Sequence, residues 1–162
     1  MKSLTPKIAE DFAKKLFSQL TNIEDRAWHL LHSKSVAATA LILVGNRKID
    51  KETLEIAGWL HDIGSVISRE GHAKKSIELL EKESFELSEK LRDCILEHGN
   101  GGNPKTEEGK IIKVADKVSI LHPEIVKMLL SCNKGKIKEE DLNFIRKLTS
   151  GAVELLEDFD IK

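Results

Sequence analysis

Aromatic side chains and cysteines are scarce in this sequence. Of its 162 residues, 4% are aromatic and none is tyrosine, and the two cysteines, Cys94 and Cys132, lie far apart without a Cys-x-x-Cys spacing. A disulfide framework needs several cysteines, and a thiolate zinc site needs them in closely spaced pairs. Both kinds of site are therefore excluded, and we expect the two thiols to be reduced packing residues.

The chain also lacks an excess of charge and a long apolar run. Lysine and arginine number 26 against 27 for aspartate and glutamate, which leaves a formal net charge of -1. A nearly neutral chain has no general attraction to phosphate backbones or anionic membranes, so we expect no general nucleic-acid binding. No stretch approaches the roughly eighteen apolar residues of a membrane span, and charged residues interrupt any signal-peptide core near the N-terminus. The sequence thus predicts a cytoplasmic protein without a membrane partner.

What remains is a composition suited to one packed helical domain. Hydrophobic residues make up 40% of the chain, and its length fits a single domain over residues 1–162. Helical periodicity recurs along the chain without convincing strand alternation, which predicts a compact all-α bundle of about seven to eight helices. These predicted helices cover about residues 6–20, 25–44, 51–61, 72–82, 88–98, 107–121, 123–131 and 139–159. We expect the last of them to pack on the others.

The longest helix and the longest loop are both clear in the sequence. The helix predicted over 25–44 is expected to supply apolar positions at Leu31, Ala38, Leu41 and Ile42. Residues 99–104 read Gly-Asn-Gly-Gly-Asn-Pro, a run that neither helix nor strand tolerates well. Two interpretations of this predicted loop stay open. It is either a plain connector or a loop that borders a functional site, since it follows His98 directly.

A histidine and an aspartate stand side by side at the end of the third predicted helix. The segment Leu-His-Asp-Ile-Gly at residues 60–64 ends an apolar helix on His61 and Asp62 and then turns at Gly64. Adjacent helical residues point about 100° apart, so two neighbours converge on one ligand most easily where the helix ends. Imidazole with carboxylate suits Zn, Fe, Mn or Ni, but two ligands alone are a weak signal.

Other histidines and an aspartate fall on helix faces that we expect to point inward. His32, His72 and His98 lie on predicted helices or at their ends, and Asp116 has an isoleucine one turn away on either side. An ionised aspartate on an inward face is costly unless it meets a cation or several donors. A metal ion is one solution. The other is that Asp116 pairs with a lysine or caps a helix while each histidine bonds a backbone carbonyl, and this interpretation is favoured when each residue is taken singly.

Taken together and in order, these residues resemble the ligand set of the HD-domain superfamily of metal-dependent phosphohydrolases. The resemblance covers about residues 24–122. Its strongest marks are His-Ser-Lys-Ser-Val-Ala from His32, Leu-His-Asp-Ile-Gly at 60–64, and Val-Ala-Asp-Lys-Val-Ser ending at Ser119. The resemblance implies an HD-type helical bundle with a divalent transition metal, which would be Mn, Fe, Ni, Co or Zn.

The resemblance also implies a role for each residue of the set. Four residues match the family's core ligands: His32, His61, Asp62 and Asp116. Two more, His72 and His98, match additional histidines of its binuclear members. By this analogy Asp62 is the catalytic residue that bridges two ions, with the other three core ligands on one ion and the additional histidines on the second. In a mononuclear alternative, His72 and His98 face substrate phosphate.

The reaction implied by the resemblance is hydrolysis of a phosphate ester or anhydride, of a nucleotide or dinucleotide, by a metal-activated water. Lys117 and Arg69 are candidate substrate-binding cations, although either is equally explained as a solvated surface charge. No P-loop and no Gly-x-Ser-x-Gly elbow is present, so nucleophile schemes of those kinds have no support. Ser65 stands where many relatives have lysine, and the Gly-Tyr-Pro motif of cyclic dinucleotide phosphodiesterases is missing, which disfavours cyclic di-GMP.

Two other functions remain open on the same ligand order. Some members of the superfamily use a di-iron centre to activate oxygen, and a non-catalytic module that binds a nucleotide would be marked by lost ligands, of which none is lost here. Four further residues near the motifs are interpreted as packing or junction residues without chemistry: His29, His122, Trp28 and Trp59. The sequence leaves the oligomeric state open.

Overall fold

Helices account for the regular structure of the described residues. The structure, a computed structural model, describes residues 1–131 and, farther on, positions 139, 142, 143, 146, 147, 149, 150, 152 and 153. Residues 1–131 contain seven α-helices: α1 (Pro6–Phe17), α2 (Ile23–Val44), α3 (Lys51–Leu60), α4 (His72–Lys82), α5 (Glu89–Leu96), α6 (Glu107–Val118) and α7 (Pro123–Ser131). Short 3₁₀ segments follow α3 and α6 at Ile63–Val66 and Ser119–Leu121. The all-α prediction is confirmed.

The structure describes only part of the C-terminal helix predicted over residues 139–159. The described positions between 139 and 153 are helical, and Ala152 among them is fully buried. The rest of the helix predicted over 139–159 lies outside the described residues, and so does Cys132. The other cysteine, Cys94, is a buried free thiol, and burial raises its pKa far above the ordinary value.

Side-chain caps begin most of the helices. In each case a polar side chain accepts a hydrogen bond from a backbone N–H of the first turn, which satisfies a donor that the helix itself leaves open. The capping residues are Thr5 for α1, Asn22 for α2, Asp50 for α3, Ser88 for α5 and Thr106 for α6. Three predicted ends were too late: α1 ends at Phe17, α5 at Leu96 and α6 at Val118.

Two of the four apolar positions predicted for the longest helix, α2, lie outside its buried face. Ala38 and Ile42 are exposed, and Ile42 retains 75% of its surface. The buried face instead combines small apolar residues with polar ones: His29, His32, Ser33, Ser35, Val36, Ala37, Thr39, Ala40, Leu43 and Val44. The small side chains on this face allow the neighbouring helices to approach α2 closely, which hydrophobicity alone does not indicate.

The close contact between α2 and α3 depends on Gly58. A Cβ at this position would lie 2.5 Å from the Cα of Ala37 and 2.6 Å from its backbone nitrogen, so any larger residue would push the two helices apart. Both helices also contact α6. The three helices therefore meet around one core, and the polar positions that they turn inward lie close to each other.

Helix α2 is also long and apolar enough to cross a membrane, judged by length and composition alone. An 18-residue window of it has a mean hydropathy of 1.2, and half of that window is buried inside the domain. A core helix of a folded domain passes this test as readily as a membrane span does. Its buried face and its contacts with α3 and α6 identify α2 as a core helix of this bundle.

Candidate metal centre

The six residues predicted as metal ligands converge on one place in the bundle. They come from five parts of the chain that are separated in sequence: His32 from α2, His61 and Asp62 from the end of α3, His72 from the first position of α4, His98 from just beyond α5, and Asp116 from α6. The predicted turn is confirmed, since α3 ends at Leu60, His61 is its C-cap, and Asp62 has left helical geometry with φ −109° and ψ 4°.

Three of these side chains form what we call the core group, His32, His61 and Asp116. His32 Nε2 lies 3.0 Å from Asp116 Oδ1 and 3.3 Å from His61 Nε2, and His61 Nε2 lies 3.7 Å from the same carboxylate oxygen. His61 is completely buried. Donor atoms this close to each other can hold one metal ion.

Two more histidines form the outer group, His72 and His98. Their Nε2 atoms are 3.0 Å apart and lie 3.0 and 3.5 Å from Asp62 Oδ1. The other carboxylate oxygen, Oδ2, lies 3.9 Å from the Nε2 atoms of both His32 and His61. Asp62 therefore stands between the two groups, with one oxygen facing each of them.

Hydrogen bonds fix the orientation of three of the four imidazoles. His61 Nδ1 lies 3.0 Å from the carbonyl of Gly58, and His72 and His98 make the same contact with the carbonyls three residues before them, at 2.9 and 2.7 Å. A carbonyl accepts only, so each Nδ1 carries the proton and each Nε2 keeps its lone pair toward the site. The lone pairs of His72 and His98 therefore face each other across 3.0 Å and repel unless a proton or a metal ion lies between them, and metal-binding histidines adopt this arrangement.

His32 is held differently from the other three histidines. Its Nδ1 is buried and has no hydrogen-bond partner among the described residues. Its ring is nearly parallel to that of Trp28, one helical turn earlier, with 5.8 Å between the centroids and 4° between the planes. The orientation of His32 therefore depends on ring packing rather than on a carbonyl acceptor.

The electrostatics of the site keep its carboxylates ionised. Burial raises the pKa of Asp62 and of Asp116, but the surrounding histidines outweigh burial and hold both pKa values well below their ordinary range. Burial lowers the pKa of His61, yet Asp62 and Asp116 outweigh it and raise that pKa; the hydrogen bond to Asp62 raises the pKa of His72. Two partly buried, ionised carboxylates thus attract positive charge to this site, either as protons on the histidines or as a metal ion.

Gly64 lets α4 approach the site. A Cβ on Gly64 would collide with the backbone oxygen of His72 and the backbone nitrogen of Ser76. In its absence the Gly64 N–H donates to Ser76 Oγ at 2.8 Å, and the Ser76 hydroxyl donates to the His61 carbonyl at 3.0 Å. The glycine that follows the histidine–aspartate pair therefore docks the first turn of α4, and with it His72, against the end of α3.

A cavity of about 320 Å³ opens over both groups. Twelve residues line it: Trp28, His32, Asp62, Ser65, Arg69, His72, His98, Gly99, Asn100, Asp116, Lys117 and Ile120. Gly99 and Asn100 belong to the predicted loop, so of its two interpretations the loop that borders the site is the correct one. The predicted cations Lys117 and Arg69 both line the cavity; Lys117 Nζ lies 2.5 Å from Asp116 Oδ2.

Of the four residues interpreted as packing or junction residues, two lie in the core, one lies at a helix junction and one lines the cavity. His29 is buried and its ring stacks on Phe17, and Trp59 is 7% exposed in the core. His122 joins the second 3₁₀ segment to α7 and accepts a hydrogen bond from Glu124 N. Trp28 instead lines the cavity, which sequence reasoning missed. Its spacing of four residues from His32 was the available signal, because residues i and i+4 share a helix face.

Comparison with known proteins assigns the chain to a family. The family model of the HD domain matches residues 30–121, so the chain belongs to the HD-domain family. The crystal structure of a predicted HD superfamily hydrolase from an uncultured Thermotogales bacterium has the same fold, with a TM-score of 0.62 and 21% identity over 94% of this chain and 90% of that one. The resemblance drawn from the motifs is confirmed.

Two curated relatives are similar over most of this chain. Ribonuclease Y of Malacoplasma penetrans is 29% identical over 120 residues, which cover 70% of this chain and 25% of that protein. A deoxyguanosinetriphosphate triphosphohydrolase-like protein of Caldanaerobacter subterraneus subsp. tengcongensis is 26% identical over 133 residues, covering 70% of this chain and 38% of that protein. The chain thus spans between a quarter and two fifths of the length of these relatives.

Proposed function

We propose that this chain is a metal-dependent phosphohydrolase that cleaves a phosphate ester or anhydride bond of a nucleotide or dinucleotide. Its family is one of hydrolases, and the relatives named above are a ribonuclease and a nucleoside triphosphohydrolase-like protein. Both names describe the breaking of a bond to phosphorus. The substrate is proposed at the level of this shared chemistry.

The observation that carries the proposal is the position of Asp62 between the two groups of histidines. One carboxylate oxygen faces the core group and the other faces the outer group, at the distances given above. The core group would hold one divalent ion and the outer group would hold a second, with Asp62 contributing one oxygen to each. Two such ions supply a hydrolytic nucleophile at neutral pH and stabilise charge on the attacking and leaving oxygens of an in-line displacement.

The remaining residues of the cavity bind and orient the substrate in this proposal. The guanidinium of Arg69 makes no ion pair within residues 1–131, so its charge is available to a phosphate oxygen. Lys117 is already paired with Asp116, so we assign it first to holding that carboxylate and second to the substrate. Ser65 donates to the Asp62 carbonyl at 2.6 Å, which steadies the backbone beside the bridging residue.

A metal titration followed by a substrate screen tests the proposal. Protein stripped of metal is titrated with Mn, Co, Ni, Fe and Zn, and the loaded forms are screened for phosphate or nucleotide release from nucleotides and dinucleotides. We expect two ions per chain and metal-dependent hydrolysis, both lost in Asp62→Ala and both retained in Asp25→Ala, a change of an exposed aspartate in the first turn of α2. Turnover of an alcohol or phosphonate by the reduced iron form with oxygen, without phosphate release, would establish the oxygenase alternative.

A further inference from the structure

The cavity over the candidate metal centre is lined by two large apolar side chains among polar ones. Among its lining residues, Trp28 and Ile120 carry the large apolar side chains, and the others are polar, charged or glycine. Trp28 is half-buried and Ile120 is 6% exposed. Because the Trp28 ring stacks on that of His32, the apolar surface of Trp28 lies directly beside the core group.

A partly exposed tryptophan at this place calls for an explanation in a chain with so few aromatic residues. The other tryptophan, Trp59, lies in the core. Within the described residues Trp28 packs on His32, but its indole N–H has no hydrogen-bond partner there and the ring still lines the cavity. Its apolar surface is thus left for whatever enters the cavity. A partly exposed indole next to polar side chains is a common surface on which a flat heteroaromatic ring stacks.

The size and the charges of the cavity narrow the class of ligand. At about 320 Å³ it is at the small end of the roughly 300–1,000 Å³ that small-molecule sites occupy. Its polar residues and Arg69 suit a phosphate group, whereas Trp28 suits a flat apolar ring. A nucleoside monophosphate carries both groups on one ribose.

We propose that Trp28 stacks on the base of the substrate and makes the site selective for a nucleoside monophosphate over an aliphatic phosphate ester. This inference rests on the proposed function. The reaction takes up one water, breaks the bond between phosphorus and the ester oxygen, and releases nucleoside and inorganic phosphate, with the proton from water passing to the leaving oxygen. Trp28 takes no part in that step and acts on binding and orientation of the base.

The test compares two substrates that differ in the base, adenosine 5′-monophosphate and ribose 5-phosphate, at saturating metal. We expect the kcat/KM ratio between them to favour the nucleotide by about tenfold to a hundredfold, the range that stacking on one aromatic side chain provides. In Trp28→Ala the ratio falls toward equality, and in Trp28→Phe it is largely kept. Trp59→Phe, the matched change of the core tryptophan, leaves the ratio as in the wild type.

The ratio of the two kcat/KM values distinguishes stacking of Trp28 on the base from a role of Trp28 in orienting His32. If Trp28 served only to orient His32, its replacement would weaken metal binding and lower the turnover of both substrates by the same factor. An unchanged ratio in Trp28→Ala, or in Trp28→Leu if the alanine variant fails to fold, therefore overturns the proposal.

Binding of adenosine, which has no phosphate to hydrolyse, gives a readout that is independent of activity. In Trp59→Phe the remaining tryptophan is Trp28, and we expect adenosine to quench its fluorescence. Quenching without any phosphate release from nucleotides would refute the proposed function and keep the stacking proposal. Phosphate release with no preference for the nucleotide and no quenching would refute the stacking proposal and keep the proposed function.

Discussion

The core group and the outer group of the candidate metal centre are built in different ways. The core group lies on the long packed helices α2 and α6 and at the end of α3, and its His61 is completely buried. The outer group lies at a helix start and beyond a helix end, and the His72 side chain is 29% exposed. The core group is therefore held among packed helices, whereas the outer group, although its His98 is buried, is positioned by a helix start and by the residues beyond a helix end.

Because of this difference, we expect substitutions in the two groups to affect different properties, namely the stability of the fold and the number of metal ions bound. A change in the core group removes buried, hydrogen-bonded atoms from between three packed helices and affects folding as well as metal binding. A change in the outer group leaves the packing of α2, α3 and α6 intact. The variants below test this comparison in order of decreasing expected effect.

Loss of Asp62, the residue shared by both groups, is expected to have the largest effect. Asp62→Ala removes the carboxylate that faces all four histidines, so both ions should be lost. Activity should fall by more than the roughly 10–100-fold that loss of an outer-shell partner of a metal site costs. Elemental analysis of the folded variant measures the metal content. Near-normal metal occupancy would contradict the bridging assignment.

Removal of the outer group should reduce the stoichiometry from two ions to one. We expect His72→Ala and His98→Ala to keep the ion of the core group, because its three residues and Asp62 remain in place. We expect His72→Ala to change the melting temperature little, since that ring is partly exposed. Titration of metal into stripped protein measures the number of ions. His122→Ala, outside the cavity, is the matched control and should bind two. A wild-type stoichiometry of one at saturation would reject the second site.

Gly64 tests whether the docking of α4 positions the outer group. The Cβ of Gly64→Ala would collide with backbone atoms of α4, and such overpacking costs roughly 1–3 kcal/mol. We expect that loss of stability in chemical denaturation, together with weaker binding of the second ion. Gly101→Ala is the control, since a Cβ there meets nothing within 4 Å. Equal stability and equal metal binding of the two variants would show that α4 can shift without loss of free energy, and would contradict this role of Gly64.

Asp93 holds the far end of the loop that borders the cavity, and its effect should be the smallest. Its Oδ2 accepts hydrogen bonds from the Thr106 N–H at 2.8 Å and the Thr106 hydroxyl at 2.6 Å. Burial raises the pKa of Asp93, but these hydrogen bonds outweigh burial and lower it overall. Asp93→Asn should therefore cost about 0.5–1.5 kcal/mol at neutral pH, the usual contribution of a hydrogen bond.

The pH dependence of that difference has a definite sign. A carboxyl whose folded pKa is depressed stabilises the fold above its unfolded pKa of about 3.9 and loses that contribution as the pH falls through the folded value. The difference in unfolding free energy between wild type and Asp93→Asn should thus shrink below about pH 4. Glu107→Gln, at an exposed ion pair with Lys110, is the control with little expected effect at any pH. A difference that stays constant with pH would contradict the role given to the carboxylate.

The helices and the ligand set could be predicted from the sequence because each depends on local pattern. Capping residues such as Thr5 and Asp50 and the spacing of apolar residues indicate a helix without any tertiary contact. The order of histidines and aspartates identifies the family because that order is a property of the chain alone. Their assignment as ligands of two ions stays a prediction that the titrations above test.

The tertiary structure decided which faces meet. It turned Ala38 and Ile42 of α2 outward, divided the six residues into two groups about Asp62, and brought Trp28 into the cavity. Helical periodicity predicts which residues share a face of one helix. The side chains that pack against that face come from other parts of the chain, and the periodicity does not identify them. Those neighbours are set by close contacts such as Gly58 on α2 and Gly64 on α4, whose geometry exists only once the helices have packed.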